Sequence, residues 1–109
     1  MTDDYYCENV FSGKVQVEKV LETKRVLAYH HTKPHWPVHI VVVPKEHITS
    51  LLTIEDESLI QEIINVIKEV AKEVNTKHGK CKVITNLGEY QDSKHLHFHV
   101  CSGEEITHK

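Results

Sequence analysis

Residues 95–100, with the sequence HLHFHV, alternate histidine with an apolar residue at every position. Successive side chains of a β-strand point to opposite faces, so an extended chain here places three imidazoles on one face and Leu96, Phe98 and Val100 on the other. The apolar face needs a hydrophobic core behind it, whereas adjacent imidazoles that titrate near neutrality are suited to chemistry. The segment therefore predicts a strand that carries a functional site on one face.

The remainder of the chain predicts an α+β fold, in which an antiparallel sheet of about five strands carries one principal helix. The 109 residues fit a single domain over 1–109, with 102–109 expected as a flexible polar tail. Apolar and β-branched runs predict the other strands, at 15–20, 26–31, 39–44 and 80–85.

One long helix is indicated by apolar residues that recur at helical spacing. It is expected to begin at Thr53 or within 55–57 and to end at Gly79, because glycine is favoured just after the last helical turn. The stripe predicts that eight residues pack against the sheet: Leu59, Ile60, Ile63, Ile64, Ile67, Val70, Ala71 and Val74.

Charge and composition argue against two classes of partner. The formal net charge is −3 and the lysines are dispersed among acids, so we expect no binding to duplex nucleic acid. No apolar run has the length of a membrane span, and the acidic start MTDDYY does not resemble a signal peptide, which predicts a cytoplasmic protein away from membranes. The three widely spaced cysteines, Cys7, Cys81 and Cys101, predict reduced thiols.

Two kinds of chemistry fit the row of histidines. In the first, His97 attacks phosphorus as a neutral imidazole, and His95 and His99 keep it neutral because charge on one ring disfavours charge on the next. Hydrogen-bond donors to the phosphate are then expected from the preceding loop, namely Asn86, Gln91 and Ser93.

In the second kind of chemistry, the histidines bind a metal ion such as zinc. The candidate ligands are His95, His97 and His99, joined by His39, His47 or Cys7. Side chains spaced along one strand do not easily reach a single ion, so the pattern favours phosphoryl chemistry and a metal-dependent hydrolase remains the alternative.

The stretch HLHFHVC at 95–101 resembles the signature of the histidine triad superfamily of nucleotide hydrolases and transferases. The similarity covers nearly the whole chain. The segments VFSGK at 10–14, LAYH at 27–30 and HIVVVPKEH at 39–47 resemble family segments that occur in the same order.

This resemblance implies a homodimer of five-stranded, one-helix subunits that binds a purine nucleoside phosphate such as AMP. It implies that His97 takes up the nucleotidyl group, that His99 assists at the phosphate and leaving group, and that His95 orients the centre. His39 completes the cluster, and Asn86 and Gln91 hold phosphate oxygens, with Ser93 nearby. The implied activity is hydrolysis of nucleoside phosphoramidates or dinucleoside polyphosphates, with no cofactor required.

Some positions depart from the family pattern. His31 stands where most members have an aspartate that accepts the ribose hydroxyls, and Tyr90 replaces the glycine that normally precedes Gln91. These departures make a non-catalytic nucleotide-binding or sensor protein the alternative function.

The resemblance also raises a structural zinc site as an alternative, because some bacterial members bind zinc through two N-terminal cysteines and two histidines. The corresponding residues here are Asp4, Cys7, His47 and His95, with Asp4 in place of the first cysteine. Trp36 could stack on a nucleobase, but it is expected to pack against the core, and Lys45 is expected to face solvent rather than to attract phosphate. Four further histidines are assigned to the surface or to loops: His30, His35, His78 and His108.

Overall fold

The computed structural model describes residue 10, residues 12–13 and residues 16–106. In this part of the chain the elements are β1 (Lys19–Glu22), β2 (Val26–His30), β3 (Val38–Pro44), α1 (Glu57–His78), β4 (Lys82–Ile84) and β5 (Phe98–Ser102), with a single 3₁₀ turn at Gly88–Tyr90. The strands form one antiparallel sheet in the order β1-β2-β3-β5-β4. The predicted α+β fold, with five strands and one main helix, is confirmed.

The first strand lies further along the chain than the predicted 15–20. A tight turn fixes its position, because the Thr23 backbone N–H donates to the Val26 carbonyl at 2.8 Å and Glu22 then pairs with Leu27. The pairing shifts between Lys19 and Leu21, which marks an irregularity in this edge strand. The hairpin connection is therefore shorter than the sequence indicated.

Both faces of the central strand β3 are buried. In β3, Ile40 and Val42 join the core cluster that includes α1, whereas Val41 and Val43 belong to a second cluster on the opposite face with Leu27. This division follows from the two-residue period of a strand. Because β3 is apolar on both sides, a polar residue on its second face, such as His39, is placed in a largely dry environment.

The helix begins and ends through local caps. The Asp56 side chain accepts hydrogen bonds from the backbone N–H groups of Ser58 at 3.0 Å and Leu59 at 3.2 Å. At the other end Gly79 adopts a left-handed conformation and its N–H donates to the Asn75 carbonyl at 2.8 Å. The predicted end at Gly79 is confirmed. Of the two predicted starts, Thr53 is wrong and the range 55–57 is confirmed, because the helix begins at Glu57. No helix in the described ranges is long and apolar enough to cross a membrane.

The predicted apolar stripe of α1 is wrong at two positions. Ile60 is 36% exposed and Ile64 is 42% exposed, whereas Val66, which the prediction omitted, is 2% exposed. Each residue of a helix is rotated by about 100° from the one before it, so a residue that follows a buried position turns toward the edge of the contact. The buried set is Leu59, Ile63, Val66, Ile67, Val70 and Val74.

The histidine strand begins three residues later than predicted, at Phe98. Val42 pairs with Phe98, so continued pairing would set Pro44 opposite Leu96. Proline has no N–H to donate to a neighbouring strand, and the Leu96 N–H instead donates to the Ile48 carbonyl at 2.6 Å. Residues 95–97 therefore approach β5 as an irregular segment.

The C-terminal segment closes over the loop before β3. Ser102 is the last residue of β5, and the Ile106 N–H donates to the His35 carbonyl at 2.7 Å. The expected flexible tail thus begins in an ordered strand, and its residues 107–109 lie outside the described part, as does Cys7. Cys81 and Cys101 are free thiols.

Replacing Gly103 by alanine should destabilise the protein more than the same change at Gly79. Both glycines have positive φ, but a Cβ at Gly103 would lie 2.8 Å from Pro37 Cγ, while a Cβ at Gly79 meets nothing within 4 Å. We expect the free energy of unfolding to fall by about 1 kcal/mol for G79A and by about 2–3 kcal/mol for G103A. Urea denaturation of both variants measures the difference, and equal losses would contradict the steric argument.

Candidate active site

Four histidine rings are in contact on the sheet face opposite α1. The rings of His31 and His39 stack with centroids 4.3 Å apart, those of His39 and His99 are 4.9 Å apart, and those of His99 and His97 are 5.0 Å apart and nearly perpendicular. The pairing of β3 with β5 produces this arrangement, because it places Val41 opposite His99 and puts His39 two residue pairs further along, on the same face of the sheet. Of the four histidines predicted to be catalytic, the fold therefore brings three together: His39, His97 and His99.

The hydrogen bonds around His39 fix which nitrogen carries its proton. The His35 backbone N–H donates to His39 Nδ1 at 2.9 Å, so this nitrogen is an acceptor. The proton of neutral His39 then lies on Nε2, which is 2.8 Å from His99 Nδ1. His39 donates in this contact, and neutral His99 consequently carries its own proton on Nε2.

His97 has the opposite tautomer. Its Nδ1 lies 2.7 Å from the His95 carbonyl oxygen, which can only accept, so Nδ1 carries the proton. The lone pair of neutral His97 therefore lies on Nε2. The Thr85 hydroxyl donates to the His97 carbonyl at 2.8 Å and holds the backbone in place. A lone pair on a fixed imidazole is the requirement for a nitrogen nucleophile.

Burial keeps these rings neutral. Loss of water, with a smaller contribution from neighbouring histidines, lowers the pKa of His39 to about 3 and that of His99 to about 4. Burial also lowers the pKa of His97, opposed by its hydrogen bond to the His95 carbonyl and by the Asp92 carboxylate. The pKa of His31 is lowered mainly by burial as well. At neutral pH all four rings are uncharged.

His95 lies behind the site and does not line its cavity. The ring is fully buried, its Nε2 donates to the Pro44 carbonyl at 2.8 Å, and its edge contacts His47, with centroids 5.5 Å apart. It reaches His97 through its backbone carbonyl. The arrangement is compatible with the orienting role that the resemblance implies for His95.

The zinc alternative falls partly outside the described residues, because these do not include Asp4 and Cys7. Of its four residues, His47 and His95 lie side by side. Among the described residues, no group of three or more His, Cys, Asp or Glu side chains is arranged to hold a metal ion. A structural zinc site therefore stays a prediction.

A cavity of about 560 Å³ opens in front of the histidines. It has the size of a small-molecule site. Six of the residues predicted from the sequence line it: His31, His39, Asn86, Ser93, His97 and His99.

Gln91, predicted to hold a phosphate oxygen, is not among the residues that line the cavity. Its side chain is buried and its Nε2 donates to the Thr49 carbonyl at 2.6 Å. The Lys94 ammonium donates to the carbonyls of Gly88 at 3.2 Å and Gln91 at 3.1 Å. In this structure Gln91 anchors the loop that carries Asn86 and Ser93.

His31 presents a hydrogen-bond donor to the cavity. The Lys33 backbone N–H donates to His31 Nδ1 at 2.9 Å, so the proton of the neutral ring lies on Nε2. An aspartate at this position would accept two hydrogen bonds from sugar hydroxyls, whereas neutral His31 offers one donor. Where the family pattern has a negatively charged acceptor, this wall of the cavity therefore has a neutral hydrogen-bond donor.

The sequence analysis missed several residues that line the cavity. His35, assigned to the surface or to a loop, does lie in the loop before β3, but it also lines the cavity, and its backbone N–H fixes the His39 tautomer. Its position in a loop held between Pro34 and Pro37 was the signal that could have identified it. Trp36 packs edge-on against His39, with centroids 5.0 Å apart, and lines the cavity too. The charged residues of the wall were missed as well: Lys33, Asp92 and Glu105.

Removing the Ile106 N–H should disturb the tautomer of His39. That group holds the His35 carbonyl, and the His35 N–H in turn donates to His39 Nδ1. We expect I106P to introduce a second tautomer at His39 and His99, visible in ¹⁵N NMR spectra of the imidazoles. The control I106A keeps the N–H and should retain the wild-type spectrum. Unchanged spectra in I106P would contradict this role of the C-terminal segment.

Stability should fall as the pH is lowered through the range in which unfolded histidine titrates. His39 and His99 have folded pKa values of about 3 and about 4, below the unfolded value of about 6.5, so the unfolded chain binds more protons in between. The free energy of unfolding is expected to reach its maximum above about pH 6.5 and to decline as the pH falls from there to about 3, the lower of the two folded pKa values. Urea denaturation at pH 7, 6 and 5 measures this slope, which should be smaller in H39Q. Equal slopes in the two proteins would contradict the assignment.

The chain is similar to known proteins over most of its length. The HIT domain family model matches residues 12–106. A histidine triad protein from Clostridium difficile is 35% identical, with a TM-score of 0.79 over 100% of this chain and 97% of that one. A HIT family hydrolase from Clostridium thermocellum is 26% identical, with a TM-score of 0.79 over the same shares. A hypothetical histidine triad nucleotide-binding protein from Sulfolobus tokodaii is 25% identical, with a TM-score of 0.81 over 94% of this chain and 70% of that one. This chain belongs to the HIT domain family.

Proposed function

We propose that the protein hydrolyses the bond between a nucleoside monophosphate and its leaving group, an amine or a second phosphate, through a covalent nucleotidyl-His97 intermediate. The hydrogen bond from His97 Nδ1 to the His95 carbonyl carries this proposal, because it assigns the lone pair to Nε2 in a residue that lines the cavity. The names of the similar proteins from Clostridium thermocellum and Sulfolobus tokodaii, a hydrolase and a nucleotide-binding protein, support the general activity.

In the first step, His97 Nε2 attacks phosphorus and a P–N bond to the imidazole forms. The bond between phosphorus and the leaving group breaks, and its electron pair goes to the leaving group. The ring becomes positively charged, and the His95 carbonyl stabilises this charge at Nδ1–H. The Nε2–H of His99 donates to a phosphoryl oxygen, and its neutral form is maintained by burial and by His39.

In the second step, a water molecule attacks phosphorus and the bond to His97 Nε2 breaks. The electron pair of this bond returns to Nε2, the nucleoside monophosphate leaves, and one proton is released. His97 then has its original tautomer, because Nδ1–H has remained bound to the His95 carbonyl. No metal or cofactor is part of either step as we propose them.

The cavity wall supplies groups that suit a purine nucleoside phosphate. Asn86 and Ser93 come from the loop that Gln91 and Lys94 anchor, so their polar groups are held in position for phosphate oxygens. Trp36 offers an aromatic surface that suits a nucleobase.

A nucleotide-binding protein without significant turnover is the second candidate. Two observations favour it: His31 offers a donor rather than an acceptor, and Gln91 is held by the Thr49 carbonyl instead of lining the cavity. Binding of a nucleotide that survives loss of His97, in a protein without turnover, would distinguish this function from hydrolysis.

We also propose that the active form is a homodimer. β4 is an edge strand, and Val83 in it is 46% exposed although it pairs with the fully buried Val100. Ile60 and Ile64 of α1 are partly exposed as well. A second copy would cover an unpaired strand edge and these apolar side chains. Light scattering at micromolar concentration measures the mass in solution.

Replacement of His97 by alanine should abolish covalent catalysis. With adenosine 5′-phosphoramidate as substrate and a chelator present, we expect H97A to release AMP at least roughly 10⁴-fold more slowly than the wild type, because the attacking nitrogen is gone. Intact-protein mass spectrometry of the same samples should show a nucleotidyl adduct in the wild type and none in H97A. The matched control is H30A, since His30 is exposed at the end of β2 and is not among the residues that line the cavity.

A loss of less than about tenfold in H97A would contradict the assignment of the nucleophile. Activity that disappears in chelator and returns with added zinc would instead support the metal-dependent alternative.

A further inference from the structure

Asp92 is a charged residue of the cavity wall that the proposed mechanism does not use. Its side chain is exposed, and it forms no hydrogen bond or ion pair with any residue that the structure describes. Other carboxylates do have such partners, since Glu22 pairs with Lys45 at 2.6 Å and Asp56 pairs with Arg25 at 2.8 Å. The Asp92 carboxylate is therefore available to interact with a charge that develops in the cavity.

The backbone on either side of Asp92 is held in place. The Gln91 side chain donates to the Thr49 carbonyl at 2.6 Å, and the Lys94 ammonium donates to the Gln91 carbonyl at 3.1 Å. His97 follows five residues after Asp92 and lines the same cavity. A short, anchored segment thus joins the carboxylate to the residue proposed as the nucleophile.

The charge of Asp92 acts on His97 in particular. Burial lowers the pKa of His97, and the Asp92 carboxylate partly opposes this effect. The pKa values of His31, His39 and His99 are lowered mainly by burial, and no carboxylate of the described residues contributes to those shifts. Of the four rings in contact, His97 is therefore the one whose positive form Asp92 favours.

Covalent reaction at His97 creates a positive charge that the hydrogen bonds of this ring do not remove. When Nε2 bonds to phosphorus, the electron pair of the broken bond goes to the leaving group, and the ring keeps its Nδ1 proton. The His95 carbonyl accepts that hydrogen bond but is too weak a base to take the proton. The nucleotidyl-imidazole is consequently a cation on a residue that is only 6% exposed, and its removal from water is costly.

We infer that Asp92 is a positioning residue for the proposed reaction, and that its carboxylate stabilises the positive charge of the nucleotidyl-His97 intermediate. This inference rests on the proposed function. In an in-line displacement the leaving group departs on the far side of phosphorus from the attacking nitrogen, so a charge that acts on His97 acts mainly on the ring. The same carboxylate repels the phosphate of the bound substrate, so its benefit arises only as the bond to Nε2 forms.

The two chemical steps should respond in opposite directions when this charge is removed. D92N should slow transfer of the nucleotidyl group to His97 by about tenfold, because the cation loses its counter-charge. The same variant should hydrolyse the adduct faster, because cleavage of the bond to phosphorus returns the ring to its neutral form. Binding of AMP should be unchanged or tighter, because the carboxylate no longer repels the phosphate.

Rapid mixing with adenosine 5′-phosphoramidate, followed by intact-protein mass spectrometry, measures both steps, and calorimetry measures binding of AMP. D92E keeps the charge and should retain most of the wild-type rates. The matched control is E89Q, because Glu89 is exposed in the same loop and is not among the residues that line the cavity. Slower transfer in D92N that comes with weaker AMP binding would indicate a structural role and overturn the inference, as would unchanged rates.

A second measurement does not depend on turnover. Protonation of His97 at Nε2 gives the ring the same charge as the bond to phosphorus, and an NMR titration of the imidazole records it. D92N should lower the pKa of His97, whereas E89Q should leave it unchanged. If the wild type forms no adduct but D92N lowers this pKa, the proposed hydrolysis fails and the stabilisation of positive charge by Asp92 stands. If D92N leaves the pKa of His97 unchanged, the inference is wrong.

Discussion

The site depends on the antiparallel pairing of β3 with β5. This pairing places Val41 opposite His99 and His39 opposite Cys101, so imidazoles that are 60 residues apart in the chain meet at 2.8 Å. A shift of one residue would send His99 toward the helix and Phe98 into the cavity. The buried apolar residues on both faces of β3 prevent this shift, and the core therefore fixes the geometry of the site.

The protons within the site are assigned by backbone groups. The His35 amide makes His39 Nδ1 an acceptor, and the His95 carbonyl makes His97 Nδ1 a donor. These two groups give His99 and His97 opposite tautomers on adjacent positions of one strand face. One ring presents an N–H to the cavity and the other a lone pair, which is the division of roles that nucleophilic attack on a phosphoryl group needs. Burial maintains it by keeping the rings neutral.

Much of the fold could be predicted from the sequence, because local patterns encode it. The ends of α1 follow from Asp56 and Gly79, whose caps need only neighbouring backbone groups. The exposure of Ile60 and Ile64 could not be predicted, because the width of the contact between helix and sheet is set by the strands beneath it. The late start of β5 also depends on a partner, since it reflects the missing N–H of Pro44 in another strand.

The sequence by itself determined the family, the presence of a histidine site and the identity of most residues in it. These follow from residue types at fixed spacing along one strand and from the order of the motifs. Only the tertiary structure decided that Gln91 anchors a loop, that His95 lies behind the cavity, and that His35, Asp92 and Glu105 belong to the site. The physical reason is that spacing along a strand fixes the face of a side chain, whereas hydrogen-bond partners and nearby charges come from distant segments that meet only in the folded chain.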